Sequence, residues 1–203
     1  MQWMKYILIL KNSIMYDLLK LIIKQDAILN NYCSSENSFY IKEMDKLAKC
    51  KRIELLGFEN ESKTFCFELD SKSKNILSNR KHKLSPYFND GIDLDKGNDA
   101  IIFTQISDKN YIFIIELKDD SQSSEIVKQF KSSTCFIDYL KSILKNIYSC
   151  NYIDKIEVKY LVFSKHGNNL RPTGESRRSP FKKNGLEIYF NNCSAKHNIR
   201  SFI

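Results

Sequence analysis

DAIIFTQISDKNYIFIIELK, residues 99–118, is the stretch on which the reading of this chain turns. Two apolar runs, Ala100–Ile106 and Tyr111–Leu117, flank the polar stretch Ser107–Asn110. Runs of that length, rich in Ile and Phe and parted by turn-forming residues, predict a β-hairpin. Both runs are apolar on both faces, so the hairpin belongs in the middle of a covered sheet. The charged side chains stand at its open end, with Asp99 opening the first strand and Glu116 and Lys118 closing the second. Burying such groups is costly unless they have partners or a cation. A turn centred on Asp108-Lys109 makes paired positions sum to about 217. That register sets Asp99 opposite Lys118 and Glu116 opposite Ile101, with all three charged side chains on one face. The two carboxylates then lie within roughly 7–8 Å of each other.

Outward from the hairpin, a long helix is predicted over 122–148, with Ile126, Phe130, Ile137, Leu140, Leu144 and Ile147 as its buried stripe. A strand follows at Lys155–Ser164, where Ile156, Val158, Tyr160 and Val162 alternate. Then comes a basic loop over 165–185 and a last short strand at Leu186–Phe190. Toward the N-terminus, Arg52–Phe58 and Thr64–Leu69 read as strands. Residues 13–30 carry Ile14, Leu18, Leu19, Ile22 and Ile23 at helical spacing, and a short helix is expected over 38–50 with Ile41, Met44, Leu47 and Ala48 inward. The polar, basic stretch 70–98 reads as a loop. The order implies an α/β protein with a central mixed β-sheet flanked by helices and an N-terminal helical extension. Residues 1–50 form that helical segment and 51–203 the core, together one compact domain.

The 203 residues suit one domain, and 42% hydrophobic residues suffice for an ordinary core. Lys+Arg number 32 against Asp+Glu 24, a net charge of +8, which favours polyanionic partners through counterion release. The cysteines at 33, 50, 66, 135, 150 and 193 form no CxxC pair, and His is limited to His82, His166 and His197, which argues against a zinc site. Their sparse placement reads as reduced thiols in a cytoplasmic protein. The apolar N-terminus is interrupted by Lys5, Lys11, Asp17, Lys20 and Lys24, so neither a membrane anchor nor a signal segment is expected.

The triplet Glu116-Leu117-Lys118 carries little by itself, since [DE]-x-K recurs at Glu61-Ser62-Lys63, Asp70-Ser71-Lys72 and Glu157-Val158-Lys159. Its setting at the end of a two-sided apolar strand distinguishes it. Two carboxylates and a backbone carbonyl suit Mg²⁺, which prefers hard oxygen ligands and keeps several waters. A lysine two residues on can orient or deprotonate a water, or meet a phosphate as a cation. The bland alternative is a strand-end ion pair, Asp99–Lys118 or Glu116–Lys118, of little energetic weight. Asp93 and Asp95 are rival ligands in a Gly-flanked loop.

DAIIF, a turn, YIFIIELK and a following helix containing KQF resemble the core of the PD-(D/E)XK nuclease superfamily over about residues 99–164. The segment at 38–50 stands where a first core helix would be. The resemblance implies a restriction-endonuclease-like fold and a Mg²⁺-dependent phosphodiesterase, with Mn²⁺ as a substitute. Asp99 and Glu116 would be metal ligands, Leu117 would lend its backbone carbonyl, and Lys118 would be the catalytic lysine. Gln129 matches a glutamine that many members carry on the following helix, and a plain solvent-facing position is its alternative. The nominal Pro before the first Asp is absent, because Asn98 stands there. The family's commonest setting is restriction or defence against mobile elements.

The loop after the last long strand adds Lys165, Arg171, Arg177, Arg178, Lys182 and Lys183, which could track a phosphate backbone. Its alternative is a solvated charged surface, and Arg80, Lys81, His82 and Lys83 form a weaker candidate. The leading expectation is a DNA endonuclease, acting as a homodimer or with a partner subunit. An RNA-directed nuclease keeps the same site, and a non-catalytic nucleic-acid-binding or assembly subunit keeps only the fold.

Overall fold

The computed structural model describes residues 14–43, 47–69, 97–119, 123–165, 180–193 and 196–203. Helix α1 spans Ile14–Ile22, followed by a 3₁₀ turn at Gln25–Ala27. Strands β1 (Tyr32–Cys33), β2 (Ser38–Lys42), β3 (Arg52–Leu56) and β4 (Thr64–Phe67) come next. The hairpin strands are β5 (Ala100–Ile106) and β6 (Lys109–Lys118), and helix α2 covers Ser123–Asn146. Strand β7 is Glu157–Ser164, β8 Phe181–Lys183, β9 Leu186–Asn192 and β10 Lys196–Asn198, with a 3₁₀ turn at Ile199–Phe202. The chain is α/β, with two mixed sheets and two helices among the described residues. No described helix is long and apolar enough to cross a membrane.

The six-stranded sheet has the order β4-β5-β6-β7-β9-β8. β4, β5 and β6 form an antiparallel meander, while β6, β7 and β9 run parallel. A parallel pair needs a long crossover, and α2 supplies it between β6 and β7. On one face, Met15 and Leu19 of α1 and Phe130, Ile137, Leu140 and Leu144 of α2 pack with Ile101, Phe103, Ile112 and Ile114. On the other face, Ala100, Ile102, Phe113, Ile115, Leu161 and Phe163 meet Phe39, Ile41, Ile53 and Leu55. Those four residues belong to a second, four-stranded sheet of order β1-β2-β3-β10. Burying an Ile or Phe side chain fully contributes about 1.5–3 kcal/mol, so covering both faces makes the hairpin the centre of the fold.

Several expectations are corrected. Residues 38–42 form β2, paired antiparallel with β3, and not the start of a helix. The helical spacing of Ile41, Met44, Leu47 and Ala48 was fortuitous: Leu47 is 88% exposed, while Phe39 and Ile41 point alternately into the second core. The segment 1–50 is therefore no purely helical extension, and a sheet covers one face of the central sheet. The first helix ends at Ile22, and Ile28 bridges Phe67 in extended conformation, with the Leu29 amide donating to Cys66 O. α2 ends before Ile147, which is 70% exposed, so that residue leaves the buried stripe.

The hairpin turn is tighter than expected. Ser107 and Asp108 both have positive φ, 49° and 63°, the signature of a two-residue turn whose twist matches its strands. Lys109 and Asn110 therefore belong to β6, and Ile106 pairs with Lys109. β9 runs two residues further than expected, to Asn192, and Phe181–Lys183 pair with it across an Asn184-Gly185 turn. The six cysteines are all unbridged. Residues 70–96, with the loop reading and the Arg80–Lys83 group, lie outside the described residues.

Candidate metal centre

The last β5–β6 pair at the open end is Ala100↔Ile115. One step further sets Asp99 opposite Glu116, not opposite Lys118. The register differs from the expected one by two residues, which keeps every side chain on its expected face. The tight turn is the cause. Directly opposed positions bring Cβ atoms within about 4.5–5.5 Å, closer than the diagonal first inferred. Glu116 and Lys118 share their face with Ile112 and Ile114, the face on which α2 lies.

Glu116 is only 3% exposed. Its Oε1 meets Lys118 Nζ at 2.7 Å, and its Oε2 accepts from Asn98 Nδ2 at 2.6 Å. The Gln129 side chain also lies near Glu116 and draws its carboxyl downward. The α2 register brings it there, one residue before Phe130, which anchors the helix in the core. Asp99 Oδ2 accepts the backbone N–H of Leu117 at 2.6 Å. That amide lies two positions beyond Ile115, the last ladder partner, so the Asp99 carboxylate closes the strand end in place of a backbone carbonyl.

The electrostatics follow from this crowding. Burial pushes the Asp99 carboxyl well above its usual range; Glu116 pushes it further, and the Leu117 N–H pulls it partly back. Burial also raises Glu116, against the opposing pull of Lys118, Asn98 and Gln129. Burial works to lower Lys118, but the charges of Glu116 and Asp99 outweigh it and hold the ammonium above its ordinary value. Two carboxylates set this close, with the Lys118 ammonium on Glu116, carry an excess of negative charge whenever both are ionised, and a cation would relieve it.

Buried atoms without hydrogen-bond partners surround the same ion pair: Asn98 Oδ1, Gln129 Oε1 and Ser164 Oγ. Ser164 is the β7 partner of Lys118. Each orphaned group costs about 1–3 kcal/mol, which needs a reason. Among the described residues no cluster of three or more His, Cys, Asp and Glu side chains could hold a metal. The donors present are instead two carboxylates, amide oxygens and a backbone carbonyl. This hard-oxygen set fits Mg²⁺ or Mn²⁺ and not a thiolate or imidazole metal.

Further residues frame the site. The Asp119 carboxylate accepts the backbone N–H groups of Lys49 and Cys50, with 3.1 Å to the latter, tying the stretch before β3 to the end of β6. Sequence reasoning missed this tether and passed over Asn98 as a mere replacement for Pro. A polar residue flanking a two-sided apolar strand was the available signal. Lys165 is exposed and follows Ser164 at the end of the sheet that carries Lys118. Lys182 and Lys183 lie elsewhere, on the outer strand β8. Lys182 faces Glu187 and bridges it at 2.9 Å, on a level with Lys159 and Phe113, about 17 Å down the strands from Lys118. These two lysines do not join the site. Asp93, Asp95, Arg171, Arg177 and Arg178 lie outside the described residues. Comparison with protein-family models, curated proteins and solved structures returned no match to this chain.

Proposed function

We propose that this chain is a divalent-cation-dependent phosphodiesterase that cleaves DNA, of the PD-(D/E)XK type. The observation that carries the reading is the juxtaposition of half-buried Asp99 and buried Glu116 at the end of adjacent central strands, with Lys118 on Glu116. Support also comes from the connectivity, an antiparallel meander followed by a crossover helix and a parallel strand. That is the arrangement the sequence resemblance implies. Asp99, Glu116 and the Leu117 carbonyl would hold Mg²⁺ or Mn²⁺. When bound, the cation would acidify a nearby water and offset charge building on the phosphate.

The chain's own residues do the rest. Asp99 and Glu116 give a preformed anionic cradle whose mutual repulsion needs little reorganisation to accept a cation. Lys118 holds its proton at Nζ beside Glu116, from where it would meet a phosphate as a cation or orient a water. Gln129 restrains Glu116 from the helix side. Lys165 adds a positive charge at the rim, where it meets a backbone phosphate.

The test is incubation of the purified chain with supercoiled, linear and single-stranded DNA, and with RNA, with and without Mg²⁺ or Mn²⁺. Cleavage of DNA that needs the cation and is lost in Glu116→Gln and Lys118→Ala is the expected outcome. Thermal melts of both variants separate lost chemistry from lost fold, since Lys118→Ala leaves the buried Glu116 without its ammonium partner. Full cleavage by either variant would refute its role. Cleavage confined to RNA would move the substrate class while keeping the site. Cation-independent binding without cleavage would mark a nucleic-acid-binding subunit.

A further inference from the structure

Asn98 has no exposed surface and sits one residue before Asp99, yet it belongs to neither strand. Its amide is used at one end only. Nδ2 donates to Glu116 Oε2 at 2.6 Å, while Oδ1 is buried and unpartnered. The amide cannot be turned round to satisfy the oxygen, because that would press Oδ1 against the Glu116 carboxylate. Gln129 stands on the same carboxylate from α2: it draws the Glu116 carboxyl downward, and its Oε1 too is buried without a partner. A strand-end ion pair with a purely structural role needs the nitrogens and has no use for the oxygens.

We propose that Asn98 is a positioning residue of the cation site, a role that its one-sided amide points to. The nitrogen aims Glu116, and the oxygen accepts a hydrogen bond from a water in the hydration shell of the divalent cation. The inference rests on the metal-site reading above and extends it to a residue outside the [DE]-x-K pattern. Mg²⁺ and Mn²⁺ in oxygen sites keep several waters, and each water carries protons that need acceptors. Carboxylates already committed to the cation cannot supply them all. An amide oxygen held by a neighbouring strand end can, without adding charge. Groups in this outer position alter metal affinity by about 10–100-fold when removed.

Mn²⁺ titration calorimetry on the full chain tests this, with thermal melts in EDTA as the measure of fold. Wild type should bind Mn²⁺, and Glu116→Gln should weaken that binding. Asn98→Leu, similar in size but without polar atoms, should bind about 10–100-fold more weakly while melting within a few degrees of wild type. Asn98→Asp keeps an oxygen and loses the donor, so it should bind Mn²⁺ more tightly than Asn98→Leu. Should the leucine variant fail to fold, Asn98→Ser, too short for either contact, takes its place. Wild-type affinity in Asn98→Leu, or no gain in Asn98→Asp over it, would overturn the role of Asn98 and leave the metal site standing. A wild-type chain that takes up no Mn²⁺ would overturn the metal site and this inference together.

Discussion

Asp99 is held in an environment that disfavours its charge, and this has a measurable effect without any substrate. Its carboxyl titrates well above the ordinary 3.8 because of burial first and Glu116 second. A carboxyl raised in the folded state favours the protonated form of that state. The stability it allows is therefore complete below its unfolded value and is lost as pH rises through the folded value. In EDTA the chain should melt at progressively lower temperature as pH rises above the ordinary carboxylate range. Asp99→Asn keeps an oxygen for the Leu117 amide and should remove much of that dependence. It should also raise the Tm above neutral pH, by about 2–4 °C for each kcal/mol relieved in a chain of this size. Scanning calorimetry across that range checks it, and identical pH profiles for variant and wild type would show that the site bears no net electrostatic strain. At this scale the sequence was informative where residues break a local rule. Asp99, Glu116 and Lys118 were legible because charge at the end of a two-sided apolar strand is anomalous. Asn98 and Asp119 carried only the weak signal of polar residues flanking a two-sided apolar strand, and their partners, Glu116 and the amides of Lys49 and Cys50, lie far off in sequence.

Among the elements, the central hairpin and α2 could be read because their apolar patterns are long and of one period. The second sheet could not. β2 is five residues, β10 three, and β10 pairs with β3 in parallel from the far end of the described chain, a contact no local pattern announces. Gly57 is the point where this sheet is most exacting. It follows β3 with φ +88°, and a Cβ there would lie 2.5 Å from Asn198 Oδ1, which accepts the Arg200 amide. Arg200 in turn donates Nε to Gly57 O at 3.2 Å and meets Glu59 at 2.8 Å, while Glu59 Oε1 accepts the Ser107 amide in the hairpin turn. Gly57→Ala should therefore destabilise the chain by about 1–3 kcal/mol in urea unfolding, the range for strain at a left-handed position. Amide exchange in β10 should rise before that in β6. Uniform loosening of both sheets, or unchanged stability, would show that the turn relaxes freely.

For the molecule as a whole, the positive charge is unevenly placed about the carboxylates. Register sets Lys165 at the end of the sheet that carries Lys118, and Lys182 and Lys183 some five positions away on the outer strand. Lys165→Ala should flatten the slope of log affinity for DNA against log salt by about one, the contribution of one phosphate contact. The double variant Lys182→Ala, Lys183→Ala should leave it unchanged. Arg177 and Arg178, outside the described residues, carry the expectation of two further contacts and a slope change of up to about two. Fluorescence anisotropy across a salt series separates these cases. An equal effect from the β8 lysines would mean that the whole basic surface acts diffusely. Composition alone could state the net charge of +8 but not its geography, because only strand register says which lysines stand beside the carboxylates.

The parallel pairing of β10 with β3 also sets a clock on the chain's biosynthesis. His197 pairs with Leu55, roughly 140 residues away. At about 5–20 residues per second, β3 is out of the ribosome about 7–28 s before its partner is made. Throughout that interval one edge of the second sheet carries open backbone donors and acceptors, above the apolar side chains of Ile53 and Leu55. An unpaired edge of this kind templates association with other chains. Slowing elongation should thus lower the soluble yield of this protein, the opposite of its usual effect on domains whose contacts are mostly local.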